Sequence, residues 1–214
     1  MADIEIITET LEPFGRAVSV AVPAGPIDAV VFTGDGQHVV PWAEDLVGTA
    51  RAGTLVVGVH RVDDEHERLG EYSPGVEPAR FDAHERFVLR TVRPWVAERF
   101  GVSLPAERTA IFGASAGGEL ALALGLRHPA TFGTVLCASP GAGYRPPESV
   151  PTDMAPTYLV AGRDEPFFRG NALRWALALA EANIESVMTE RAGGHGDGFW
   201  RDEFPLMLAW AFDR

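Results

Sequence analysis

The sequence predicts an α/β fold with a mostly parallel central sheet, helices on both faces and an antiparallel N-terminal edge. Three observations lead there: eight strand-sized apolar runs, helical spacing in the segments between several of them, and a change from alternating to continuous apolar runs at the third. Strands covered on both faces read as continuous apolar runs, whereas strands with one solvated face alternate.

The runs are Ile4 to Thr8, Ala17 to Val22, Ala29 to Thr33, Thr54 to His60, Thr109 to Phe112, Thr134 to Ala138, Thr157 to Ala161 and Glu185 to Thr189. The first two alternate and predict the antiparallel edge. Leu55-Val56-Val57-Gly58-Val59 is nearly continuous and predicts a parallel strand between helices. Helical spacing occupies Pro41 to Ala50, Phe81 to Phe100, Ala116 to Arg127, Phe168 to Ala182 and Asp202 to Phe212. In the longest of these, Phe81, Val88, Val92, Trp95 and Val96 share one face, and Pro94 should kink or restart the helix. His128-Pro129 stops the third helix and Asn183 the fourth. The five prolines between Ser139 and Pro156 predict a long surface loop that overhangs the site. Alternating strands and helices call for a doubly wound sheet with right-handed crossovers, in which chemistry gathers beyond the carboxyl ends of the parallel strands.

No linker-like stretch divides the 214 residues, so one domain over residues 1–214 is expected. With 46% hydrophobic and 22% charged residues, disordered and fibrous classes are excluded. The acidic start Met1-Ala2-Asp3-Ile4-Glu5 lacks the basic segment and apolar core of a secretory signal, and no apolar run is long enough to cross a bilayer. A cytoplasmic location is the expectation. The single Cys137 lies in an apolar run and reads as a buried hydrophobe. A net charge of −12 argues against nucleic acid and anionic membranes as partners and leaves a small molecule. Asp63-Asp64-Glu65-His66-Glu67 has no regular ligand spacing and reads as a solvated loop, so no metal or other cofactor is expected. Oligomeric state leaves no mark in the sequence.

The strongest local signal is Gly113-Ala114-Ser115-Ala116-Gly117, with the strand Thr109 to Phe112 before it and an apolar helix after it. A Gly-x-Ser-x-Gly turn between strand and helix is the pattern of a nucleophile elbow, where small residues two positions either side of the serine avoid clashes. The helix that follows aims its first amides and its dipole at any negative charge developing beside Ser115. His195 stands in Gly193-Gly194-His195-Gly196, between the last strand and the last helix, a loop in which a core histidine is unusual. Its flexible flanks would let the imidazole turn toward a serine on a neighbouring loop and act as general base. Histidines 38, 60, 66, 84 and 128 lack that setting, and His128 before Pro129 reads as a helix-end cation.

A third member, a carboxylate that orients the imidazole, should follow the strand Thr157 to Ala161, where Asp164 and Glu165 are adjacent candidates. An oxyanion hole needs two backbone donors. Ala116 would supply one, and the glycine-flanked turn Thr33 to Gln37 the other, with the amide of Gln37 favoured.

With these residues in view, the chain resembles the enterochelin-esterase branch of the α/β-hydrolases, also called the putative esterase or esterase D-like family. The resemblance rests on Asp35-Gly36-Gln37, Gly113-Ala114-Ser115-Ala116-Gly117-Gly118, Arg163-Asp164-Glu165-Pro166, and Gly193-Gly194-His195 with Trp200 five residues on. It implies an α/β-hydrolase fold and a serine esterase that cleaves a carboxylic ester through an acyl-enzyme, with Glu165 preferred to Asp164 as the acid. It also makes Arg68-x-x-Glu71-Tyr72 resemble a segment near the active site, so Arg68, Tyr72 and Trp200 are expected at the substrate, although Arg68 and Glu71 could equally pair in a surface turn. Trp42, Tyr144 and Phe167 are further candidates for an apolar pocket wall. The alternative outcomes on this fold are an acyltransferase using the same residues and a non-catalytic binding protein.

Overall fold

A single sheet of eight strands organises the computed structural model, which describes residues 4–213. Met1 to Asp3, the first part of the acidic start, and Arg214 lie outside the described residues. The strands are β1 (Glu5–Leu11), β2 (Arg16–Val22), β3 (Ala29–Thr33), β4 (Thr54–Val59), β5 (Thr109–Ala114), β6 (Thr134–Ala138), β7 (Thr157–Gly162) and β8 (Ser186–Arg191). Their order across the sheet is β1-β2-β4-β3-β5-β6-β7-β8. β2 runs antiparallel to both neighbours, and every other pairing is parallel, so the alternating runs do form the antiparallel edge. Winding proceeds outward from β3 to β4, then crosses back to β5 and continues the other way. The turns after β3 and β5 therefore flank the switch point, where a crevice opens between diverging connections.

Among the described residues, seven α-helices cover the sheet: α1 (Gly36–Val39), α2 (Glu65–Tyr72), α3 (Pro78–Phe87), α4 (Arg93–Phe100), α5 (Ala116–Arg127), α6 (Pro166–Glu181) and α7 (Asp197–Phe212). Side chains alternate along each strand, so the sheet has two cores. Ile111 and Leu159 meet Phe81, Leu120 and Trp175 on one face. Phe112, Leu136 and Val160 meet Trp42, Phe204 and Met207 on the other.

Several element boundaries differ from the sequence reading. Pro41 to Ala50 is a 3₁₀ helix over Val40–Leu46 that continues α1. The acidic segment read as a solvated loop instead starts α2: Asp64 caps it by accepting the Glu67 amide at 2.9 Å, and Glu65 and Glu67 occupy its first turn. Asp64-x-x-Glu67 follows the spacing of a capping box, the one local signal that could have revealed this mostly polar helix. Pro94 stands in the first turn of α4, where its missing amide costs no hydrogen bond, and a π-helical turn at Val88–Val92 separates α3 from α4, so the helix restarts at the proline as the sequence predicts. The Ser139 to Pro156 loop leaves the carboxyl end of β6, where the Gly141 amide meets the Ser115 carbonyl oxygen at 3.4 Å, but none of residues 140–156 lines the cavity at Ser115. Val150, Met154 and Ala155 fold into the core, and Gly143 is tied by its amide to the buried Glu119 carboxylate. Among the described residues, no helix is long and apolar enough to cross a membrane.

His84 on α3 is only 4% exposed and packs on the Tyr72 ring of α2. Burial holds its imidazole down at about 4 against an ordinary 6.5, with the neighbouring Glu71 carboxylate opposing only part of that effect. An unfolded chain thus binds a proton that the folded one refuses in the window between those values. Stability is expected to be complete above pH 6.5 and to fall, by up to about 3 kcal/mol, as pH drops toward 4. Urea midpoints measured across that window should slope less steeply in His84→Phe.

Candidate active site

Ser115 sits where β5 gives way to α5, at φ 57° and ψ −123°. A side-chain-bearing residue rarely adopts such a backbone, and here the sharp reversal lifts the hydroxyl clear of the sheet. The two glycines of the turn are not equivalent. A Cβ at Gly113 would lie 1.9 Å from the Gly117 carbonyl oxygen, whereas one at Gly117 would approach only the Asp35 carboxylate, at 3.2 Å. Gly113→Ala is therefore expected to destabilise the protein by about 2 kcal/mol or more, and Gly117→Ala by less, as urea midpoints would measure.

His195 reaches Ser115 from the loop between β8 and α7, with Nε2 3.0 Å from Oγ. Its other nitrogen, Nδ1, lies 2.7 Å from Oε2 of Glu165. A carboxylate only accepts, so Nδ1 carries the proton and Nε2 presents a lone pair to the serine hydroxyl. Glu165 is 4% exposed. Its second oxygen accepts the Gly162 amide at 2.6 Å and the Ser139 hydroxyl at 2.5 Å. Asp164, its neighbour, is exposed and contributes its backbone amide to the Gly193 carbonyl. Gly162 and Gly193 touch so closely that a Cβ on Gly162 would come within 2.2 Å of the Gly193 oxygen, which locks the acid loop to the histidine loop.

Phe168 and Ser139, which the sequence reading did not single out, and Asp35 of the Asp35-Gly36-Gln37 motif complete this arrangement. Phe168 stacks on the imidazole with centroids 3.6 Å apart. Ser139, fully buried and at φ 49°, passes a hydrogen bond from the Trp200 indole to Glu165. Asp35 lies beside the elbow in a left-handed turn, at φ 51°. No local pattern marks Ser139 or Phe168. Trp200 also presents its edge to the imidazole, 4.6 Å between centroids.

A cavity of about 310 Å³ opens on Ser115, walled by Trp42, Arg61, Arg68, Asp197 and Trp200. That is near the lower end of ligand-pocket volumes, which suits a small substrate. Among the described residues, no three His, Cys, Asp or Glu side chains gather as metal ligands. Cys137 lies fully buried behind the elbow, its thiol pushed well above the ordinary range by desolvation.

The Esterase family, described as "Putative esterase", matches residues 42–211. The chain belongs to that family. The esterase also shares its fold with solved enzymes. A ferulic acid esterase aligns over 100% of this chain and 99% of its own, with 17% identity and a TM-score of 0.78. An enterobactin esterase from Shigella flexneri, solved in the presence of enterobactin, aligns over 99% of this chain and 59% of its own, with 21% identity and a TM-score of 0.78. An S-formylglutathione hydrolase from Staphylococcus aureus aligns over 99% of both chains, with 12% identity and a TM-score of 0.75. A search of curated proteins by sequence finds no match.

In this esterase the residues expected at the substrate divide. Trp200 and Arg68 line the cavity, but Tyr72 does not: it is fully buried, and its hydroxyl accepts the Asp35 amide at 2.7 Å. Arg68 does not pair with Glu71. Its Nε and Nη2 donate to the two Asp35 oxygens at 2.8 and 2.7 Å, and its Nη1 to Glu65 at 2.7 Å. Glu71 is gripped instead by Arg16 of β2 at 2.8 and 2.9 Å. Of the other aromatic candidates, Trp42 walls the cavity, Tyr144 packs on Trp175, and Phe167 is 60% exposed.

Proposed function

We propose that this esterase cleaves a small carboxylic ester by serine catalysis through an acyl-enzyme. The reading rests on one observation, the unbroken hydrogen-bond chain from the Ser115 hydroxyl through His195 to Glu165. Ser115 Oγ attacks the ester carbonyl while His195 Nε2 takes its proton, and Glu165 stabilises the imidazolium without itself being protonated. The tetrahedral oxyanion is met by the amides of Ala116 and Gln37, each in the first turn of its helix, where amides have no intrahelical acceptor. His195 returns the proton to the departing alkoxide, leaving acyl-Ser115. It then takes a proton from water, which attacks the acyl carbon, and on collapse of the tetrahedral intermediate gives that proton to the departing Ser115 Oγ, releasing the carboxylic acid and restoring the hydroxyl.

Arg68 and Tyr72 have a part in this scheme that is not substrate contact. Together they pin both the side chain and the amide of Asp35, and so fix the turn on which Gln37 presents its amide. Trp200, through Ser139, keeps the Glu165 carboxylate facing the imidazole.

Incubation with a fluorophosphonate, followed by peptide mass analysis, tests the proposal. The expected result is one adduct, on Ser115, with loss of activity toward p-nitrophenyl acetate in proportion to labelling. An adduct on another residue, or full activity in labelled protein, would remove Ser115 from the nucleophile's role.

A further inference from the structure

The two oxyanion amides stand on separate elements, Ala116 at the start of α5 and Gln37 in α1. Helix α2 supplies neither, yet it touches both supports. On one side it grips the Asp35 turn: Arg68 holds the Asp35 carboxylate, the Tyr72 hydroxyl accepts the Asp35 amide, and a Cβ at Gly34 would come within 2.7 Å of the Tyr72 ring. At its end stands Ser73, whose amide donates to the Leu69 carbonyl at 2.9 Å.

Ser73 is fully buried, and its hydroxyl donates to Oε2 of Glu119. Glu119 shares the first turn of α5 with Ala116 and is 2% exposed. Its other oxygen, Oε1, accepts the Gly143 amide at 3.1 Å. The space around these bonds is full: a Cβ at Gly141 would lie 2.1 Å from Glu119 Oε1, and one at Gly143 2.4 Å from Ser73 Oγ. Burial pushes the Glu119 carboxyl up, against the pull of the Ser73 hydroxyl and the Gly143 amide. An apolar side chain, like its buried neighbours Leu120 and Leu122, would escape that cost, so packing alone does not account for an acid here. What the carboxylate adds is a hydrogen-bonded link from α5 to the end of α2.

We propose that Glu119 is a positioning residue for the oxyanion: by holding Ser73 it sets α2, and through α2 the Asp35 turn, so that the Gln37 amide keeps its distance from the Ala116 amide. This role rests on those two amides being the oxyanion donors, as proposed above. Neither Glu119 nor Ser73 lines the cavity at Ser115, so both act through α2 and not on the substrate.

Ser73→Ala cuts the link at a single atom. Toward p-nitrophenyl acetate its kcat is expected to fall about 10- to 100-fold with KM within about twofold, since an oxyanion donor is displaced and not removed. Trifluoroacetophenone reads the same geometry: its carbonyl carbon takes Ser115 Oγ, its oxygen becomes an oxyanion, and His195 keeps the proton. Its inhibition constant should rise by the factor that kcat falls. Glu119→Gln keeps the link, with its amide oxygen on Gly143 and its NH₂ donating to the Ser73 hydroxyl, and should stay within about threefold of the parent in both measures. Tyr72→Phe loosens the turn from the other end of α2, so its double variant with Ser73→Ala should lose less than the product of the single losses. Assays run well below each variant's Tm compare folded proteins. If Ser73→Ala does not fold, Ser73→Cys, a weaker donor, replaces it, with a loss of about threefold or more expected.

The positioning role falls if Ser73→Ala lowers Tm but costs less than about tenfold in kcat, if Glu119→Gln is as slow as Ser73→Ala, or if the losses in the double variant multiply. Any of these results with Ser115 still labelled by fluorophosphonate in the parent ends this role alone. A parent in which Ser115 is not labelled ends the serine-esterase reading and this role together.

Discussion

Ser115→Ala is expected to lower kcat toward p-nitrophenyl acetate by about 10⁴- to 10⁶-fold, with KM and thermal stability little changed. The variant keeps the elbow, the oxyanion amides and the cavity, and lacks only the oxygen that would form the acyl-enzyme. Stability is preserved because the Ser115 hydroxyl bonds the partly exposed imidazole of His195 and alanine fits the same turn. His195→Ala should cost a similar factor, and the double variant should be no slower than either single one. Groups acting on one proton transfer are not additive: once the nucleophile is gone, its base has nothing to activate. A double variant with losses that multiply would mean that the two side chains act in separate steps.

Glu165→Gln carries the second-largest expected effect, a fall in kcat of about 10³- to 10⁴-fold in a protein that still folds. The carboxylate has three donors around it: the Gly162 amide and the Ser139 hydroxyl on one oxygen, and His195 Nδ1 on the other. A glutamine has one acceptor oxygen and one donor nitrogen. If its oxygen stays with Gly162 and Ser139, its NH₂ faces the imidazole and drives the proton to Nε2, leaving nothing to accept the serine proton. If the amide flips, its NH₂ abuts two donors that were satisfied. Asp164→Asn should stay within about threefold of the parent, because that side chain points to solvent and only its backbone is engaged. Comparable losses in both variants would overturn the assignment of the acid, and more than a tenth of the parent activity in Glu165→Gln would show that no carboxylate is needed there.

How far the fold could be read depended on the kind of element. β3, β6 and α5 match their sequence-predicted bounds because continuous Val, Ile, Leu and Ala runs end abruptly at glycine, proline or polar residues. α2 escaped notice because its stability comes from a cap and from the two anchoring arginine pairs rather than from an apolar stripe. α7 begins five residues before the predicted Asp202, since Asp197, Gly198 and Phe199 give no periodic apolar signal of their own.

The sequence by itself determined the α/β architecture with its antiparallel edge, and it placed Ser115, His195 and the Asp164-Glu165 pair in loops after strands. These are local properties: apolar periodicity, glycine spacing and helix caps act over a few neighbouring residues. Only the tertiary structure decided which carboxylate meets the imidazole, that Tyr72 supports the Asp35 turn from within the core, and that Ser139 and Phe168 enclose the acid and the histidine. Those outcomes depend on backbone direction at the ends of separate strands and on contacts between residues far apart in the chain, where no short-range pattern carries the information.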